Sequence, residues 1–220
     1  MFRSLLLSAL IFSALQLSAQ DGKSKIIFGL GAAIHKSSLL SAYGDQPHFS
    51  DPDYVFIRHI EKSGVRAHMN IYYLLTPKIS LHLAPGAYLQ TTKINFHQTE
   101  GINATVELFP TAISLPLSLE YSPEQFFKGP RFFAGMEYQQ LLGPRQDMYL
   151  SLYDYNLLAH VGLAYPFNFK KIQWVPRLTV SKGLENIKKF DSAGTLNNLV
   201  NVLKVNIVQF GINVIFHNSQ

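Results

Sequence analysis

A chain of 220 residues with a formal net charge of +5, 47% hydrophobic and 15% charged residues and no cysteine has the length of one domain. Without cysteine it has no disulfide staples, no thiolate chemistry and no lipid-modified N-terminal cysteine. The basic residues are scattered, which argues against nucleic acid as a partner.

Residues 1–19 read as a cleaved signal peptide: Arg3 gives a positive start, Leu5 to Leu17 an apolar run, and Leu17-Ser18-Ala19 a small-residue site ahead of Gln20-Asp21. Residues 20–220 then form one exported β-barrel domain. Removing Arg3 and no acid lowers the charge from +5 to +4.

The mature chain alternates with period 2 over eight stretches. The first, about 25–38, sets Ile26, Phe28, Leu30, Ala32 and Ile34 against Gly29, Gly31, Ala33 and His35. The second and third form a hairpin, 65–76 and 79–90, around Thr76-Pro77-Lys78. Arg66, His68, Asn70 and Tyr72 share one face of the first arm, and Ser80, His82, Ala84, Gly86 and Tyr88 one face of the second. Further strands are expected over 112–121, 130–141, 153–165, 172–182 and 205–217. Each arm is long enough for the ~9 to 11 residues of a tilted membrane strand.

The connections 76–78, 122–129 and 166–171 are short, whereas 39–64, 93–105, 142–152 and 183–204 are mostly longer and polar, the order expected of an outer-membrane barrel. A soluble lipocalin-like barrel would show the same alternation with its faces reversed. Two features select the membrane form. The 13 lysines fall at strand ends or in loops, and the polar faces carry mostly small residues. In addition, Tyr73, Tyr121, Tyr165, Trp174 and Phe216 have apolar-face parity near one common end, as an interfacial aromatic girdle requires. The expected fold is all-β: an eight-stranded antiparallel up-and-down transmembrane barrel in the outer membrane, with outer-membrane lipid as its surroundings.

Pairing Tyr121 with Pro130 and Tyr165 with Ile172 would place Glu120 opposite Arg131 and His160 opposite Arg177, with Glu137 at similar height. These five residues form an expected interior charge cluster with a structural role, since eight strands enclose a lumen filled by side chains. His35, His68, His82 and His160 share the interior but lack metal-ligand spacing, so neither a metal nor a cofactor is expected. His35 with Ser37 is the nearest approach to a base and nucleophile, and no catalytic role is assigned to them. The acidic loop Asp45 to Asp53 lacks calcium-loop offsets, and Gly29-x-Gly31 lacks the third glycine and helix of a phosphate loop. Lys170 and Lys171, beside Phe167, Phe169 and Trp174, suit an interface edge.

The segments Ile113-Ser-Leu-Pro-Leu-Ser-Leu-Glu-Tyr121, Gly129-Pro-Arg-Phe-Phe-Ala-Gly-Met-Glu-Tyr138 and Phe210-Gly-Ile-Asn-Val-Ile-Phe216 resemble the PorT-like outer-membrane β-barrel family. The resemblance implies a non-enzymatic structural or accessory role, in protein secretion for the type IX apparatus of its type member, with protein partners met through the external loops. It carries over no functional residue. The alternatives are a lipid-modifying barrel enzyme and a small pore or ligand-binding barrel.

Overall fold

The computed structural model describes residues 26–43, 55–58, 62–90, 92–98, 103–108, 111–124, 126, 128–142, 155–169, 172–185 and 200–216. The expected signal segment 1–19, the acidic stretch 45–53 and the pair Lys170 and Lys171 lie outside the described residues. The strands are β1 (Ile26–Tyr43), β2 (Val55–Arg58), β3 (Lys62–Leu74), β4 (Ile79–Leu83), β5 (Gly86–Gln90), β6 (Thr92–Gln98), β7 (Asn103–Leu108), β8 (Thr111–Tyr121), β9 (Arg131–Leu141), β10 (Tyr155–Ala164), β11 (Phe167–Phe169), β12 (Ile172–Gly183) and β13 (Val200–Phe216).

Hydrogen-bonded neighbours run β1, β13, β12, β10, β9, β8, then β4 with β5 as one stave, then β3, and a β3–β1 ladder closes the ring. All these pairings are antiparallel. The result is a closed eight-stave barrel. Closure removes the unpaired strand edges that a bilayer does not tolerate.

The alternation seen in the sequence becomes an inside and an outside. Along β8 the buried positions are Ala112, Ser114, Pro116, Ser118 and Glu120, while Ile113, Leu117 and Leu119 are exposed. Phe28, Leu30, Ile34, Met69, Val161, Leu163, Val180, Val208, Phe210 and Ile212 are exposed on other staves. A continuous apolar exterior of this kind has no stable state in water, where contiguous patches rarely exceed a few hundred Å². At the short-turn end, Tyr121, Phe132, Tyr165, Phe167, Trp174 and Phe216 all face outward, and Tyr138 and Tyr155 stack outside nearer the other end. Apolar outside, polar inside and closed, the chain is an outer-membrane β-barrel.

The tight turn between β3 and β4 is held by Thr76, whose Oγ1 accepts from the N–H of Lys78 (3.2 Å) and of Ile79 (3.0 Å). Between β4 and β5 sits Pro85, which has no N–H to give. The ladder survives the break because Ala84 N–H donates to Pro116 O and Met69 N–H donates to Pro85 O.

Three features depart from the sequence reading. First, the stretches 39–64 and 93–105, expected as loops, contribute strand. β2, β6 and β7 form a three-stranded sheet, and β6–β7 continues the register of the β5–β8 ladder. The β1–β13 ladder likewise runs on to Tyr43 opposite Val200. At ~3.3 Å per residue, the 18 residues of β1 span roughly 60 Å, about twice the hydrocarbon core, so this part of the sheet stands clear of the membrane on the long-loop side.

Second, Tyr121 pairs with Phe132, two residues beyond Pro130, so Glu120 faces Phe133 rather than Arg131. Pro130 cannot donate to a ladder, and the turn before it docks on the neighbouring turn instead. Ser122 N–H donates to Lys78 O and Phe126 N–H to Pro77 O. Third, β11 continues β10 in register with β12, so that Phe169 faces Ile172. The hairpin therefore stays paired as far as Phe169 and Ile172 instead of opening at 166. This slides the register by four residues and puts His160 opposite Ser181 and Arg177 opposite Ala164.

Candidate functional site

Tilted strands make a hydrogen-bonded row climb as it circles the barrel. One such row passes through Arg131, Ala164, Arg177, Gly211, Ala33, Arg66, Tyr88 and Ala112. Its three arginines are separated by alanine and glycine. Those small residues leave room for the guanidinium groups to lie inside the ring, at three heights.

Glu120 gathers the lower part of this system. It is 1% exposed, and its Oε1 accepts from Arg177 Nη1 at 2.5 Å and lies 3.0 Å from His82 Nδ1. Its Oε2 is 3.7 Å from Arg131 Nη1. The Glu120–Arg177 bond joins β8 to β12, which are not neighbours in the ring, so it crosses the lumen. Arg131, wholly buried, lies with its guanidinium carbon 4.4 Å over the Phe126 ring and 5.6 Å over that of Tyr72. Arg177 lies 3.9 Å over Phe133. Such cation–ring contacts offset part of the cost of desolvating a guanidinium.

Of the five residues expected in the charge cluster, the structure brings Glu120, Arg131 and Arg177 together and sets Glu137 and His160 apart from that contact. Glu137 accepts from Gln139 Nε2 at 2.9 Å. His160 Nε2 is 2.7 Å from Ser118 Oγ. The sequence reading omitted His82 from the cluster. His82 had the right face parity, but only the β4–β8 register, with His82 opposite Ser118, brings it to Glu120.

Beneath the charges lies an apolar floor of Ile27, Tyr72, Phe126, Phe133, Ala164, Val175 and Ile215, with Leu74 packed against it. Phe126 comes from the 122–129 turn and folds back into the barrel end. It lies in no periodic pattern, so no sequence signal marks it. Above the floor is a small chamber of about 30 Å³, lined by Arg66, His68, His82, Ala84, Pro116, Ser118, Phe133, Glu137, His160, Arg177, Thr179, Gln209, Gly211 and Asn213. Nearer the long loops, Ala112, Leu141, Leu158, Val205 and Ile207 are buried together with Tyr88, whose hydroxyl donates to Gln209 Oε1 at 3.0 Å. They make a collar that narrows the lumen.

All four interior histidines are buried, each in its own setting. His68 Nε2 is 2.8 Å from Asn213 Oδ1, and Asn213 Nδ2 donates to Tyr72 OH at 3.1 Å, which orients the amide oxygen toward the ring. His82 Nε2 is 2.9 Å from Asn70 Oδ1, and its ring stacks on Tyr72 at 4.2 Å. His35 meets Tyr88 edge to face at 4.8 Å. Among the described residues no group of three His, Asp or Glu side chains is placed to share a metal ion. His35 and Ser37 both point into the lumen, away from any lipid substrate at the outer surface.

No protein-family model and no curated protein sequence matches the chain. Among solved structures, the outer membrane protein OprG from Pseudomonas aeruginosa is 16% identical, with 88% of this chain and 96% of that one covered and a TM-score of 0.42. The outer membrane protein AlkL, determined in lipid bilayers, is 14% identical over 87% of this chain and 92% of that one, with a TM-score of 0.43. The CymD monoaromatic hydrocarbon channel is 10% identical over 96% and 92%, with a TM-score of 0.30. At such values the fold assignment rests on this chain's own strand ring and exterior.

Proposed function

We propose that this protein is a non-conducting outer-membrane scaffold with a structural or accessory role, and that it meets envelope proteins, including components of protein secretion as in the PorT-like family, through the sheet that extends beyond the bilayer. The observation that carries this reading is the apolar floor. Tyr72, Phe126, Phe133, Val175 and Ile215 meet across the short-turn end, with Arg131 lying against two of the rings. A solute crossing there would have to lose its hydration against aromatic and aliphatic side chains. A rigid, filled barrel of eight strands suits anchoring better than transport. The β6–β7 hairpin, whose ladder continues the register of β5–β8, offers its backbone to a partner outside the membrane.

The test is planar-bilayer recording of the purified barrel. The wild type is expected to show no steady conductance, and Phe126→Ala combined with Tyr72→Ala, which removes two floor rings, is expected to produce discrete current steps. A steady wild-type conductance overturns the scaffold reading. It would promote the second reading, a small-solute channel, which the polar-lined chamber above the floor favours. For the partner arm, envelope proteins cross-linked to the wild type should be lost when residues 92–108 are replaced by a short Gly-Ser linker. Unchanged cross-linking would reject that surface.

A further inference from the structure

Among the described residues, Arg66 is a buried cation without a carboxylate counter-charge. It is 6% exposed and lines the chamber. Its Nη2 donates to Ala84 O at 2.6 Å and its guanidinium carbon lies 5.2 Å from the Tyr88 ring centre, but its Nε has no hydrogen-bond partner. No carboxylate of the described residues lies within ion-pair distance of it: the close carboxylate contacts of the interior all belong to Glu120, with Arg177, Arg131 and His82. Among the described residues, three inward-facing arginines stand against two glutamates, Glu120 and Glu137, so this set of side chains is one negative charge short. Two further buried nitrogens without partners, Nδ1 of His68 and Nδ1 of His160, belong to rings lining the same chamber. Buried cations are ordinarily paired, and an unpaired one marks a place where an anion is stabilised.

We propose that the chamber is a binding site for a small, singly charged carboxylate, with Arg66 as its anchor. One negative charge matches the deficit. A planar carboxylate matches the fork of a guanidinium, which presents its Nε–H beside an Nη–H. At about 30 Å³ the chamber has room for only a few heavy atoms, which limits the ligand to a very small one. Ala84, Pro116 and Phe133 give the site an apolar wall that a methyl or methylene group would cover. Arg177 faces the same space but is committed to Glu120, so Arg66 is the free donor. The inference does not depend on whether the floor conducts, because a site above a closed floor fills from the long-loop side.

Sodium acetate is the probe. The intact barrel, folded in a zwitterionic detergent without anionic lipid, is titrated at constant ionic strength against chloride, and binding is read from saturation-transfer NMR of the acetate methyl group. The expected result is saturable binding to the wild type, weakened at least tenfold in Arg66→Gln and retained in Arg66→Lys and in Lys128→Gln, an exposed turn position. Arg66→Gln removes an unpaired buried charge, so its barrel is expected to fold, and the gel shift on heating verifies this. If it does not fold, an upward shift of the wild-type unfolding temperature that saturates with acetate and is absent with methylammonium decides the matter. Acetate signals that do not saturate, or equal binding to wild type and folded Arg66→Gln, overturn the proposal.

Discussion

Replacing Glu120 by Gln keeps the shape of the side chain and removes the charge shared by Arg177, Arg131 and His82 at 2.5, 3.7 and 3.0 Å. Breaking a buried ion pair by losing one partner costs about 3–5 kcal/mol, because the other charge stays desolvated and unpaired. Two arginines lose the one carboxylate that the described residues bring to them, so the upper half of that range is expected. In an Arg177→Met background one of those cations is already gone and Arg131 remains. The same Glu120→Gln change should then cost roughly 1–3 kcal/mol less, the coupling expected of directly bonded residues. Glu137→Gln is the control, since Glu137 contacts Gln139 outside this cluster and its loss should cost only about 0.5–1.5 kcal/mol. The assay is denaturant unfolding from lipid vesicles followed by fluorescence of Trp174, the sole tryptophan, which faces outward at the short-turn rim. A Glu120→Gln barrel no less stable than Glu137→Gln, or the absence of coupling to Arg177, would refute the assignment of Glu120 as the hub.

Two further outcomes follow from the faces and the packing. Leu117 is exposed on β8 between Leu83 and Met136 on the flanking strands, so Leu117→Arg should cost about 2–4 kcal/mol in the bilayer, whereas Glu124→Arg at an exposed turn position should stay within about 0.5 kcal/mol; equal costs in the vesicle unfolding assay would count against a lipid-facing Leu117. A side chain on Gly31 would overlap His68 Nε2 and Asn213 Oδ1, so Gly31→Val should separate that pair and cost about 1–3 kcal/mol by overpacking, and wild-type stability in the same assay would show that the lumen is looser than described.

What the sequence determined by itself is the set of faces. A strand's side chains alternate whatever its partner, so period 2 put Ser114, Ser118 and Glu120 on one face and Leu117 and Leu119 on the other, and the placing of the lysines and of the aromatic girdle told which face was inside. The same reasoning put His35, His68, His82 and His160 in the interior, where the structure has them. The aromatic rim was also legible, because residues such as Tyr121, Tyr165 and Trp174 had both the right parity and a common distance from the short turns. The strands of the extended sheet were not, since beyond the bilayer no lipid enforces apolar alternation, and 92–98 and 103–108 become strand by pairing with each other and with β2.

The identity of the partners was decided by tertiary structure. The two misjudged registers were off by two and by four residues. Even slips preserve which face a side chain occupies while changing every neighbour it meets, so the interior was correct in composition and wrong in its pairs. Both slips arose where one strand gives way to the next: the turn ahead of Pro130 docks on Pro77 and Lys78, and β11 keeps the ladder with β12 paired as far as Phe169 and Ile172. The decisive contact, Glu120 with Arg177, joins staves that are never adjacent in the sheet. It exists only because the ring closes, and no pattern along the chain encodes a distance across a lumen.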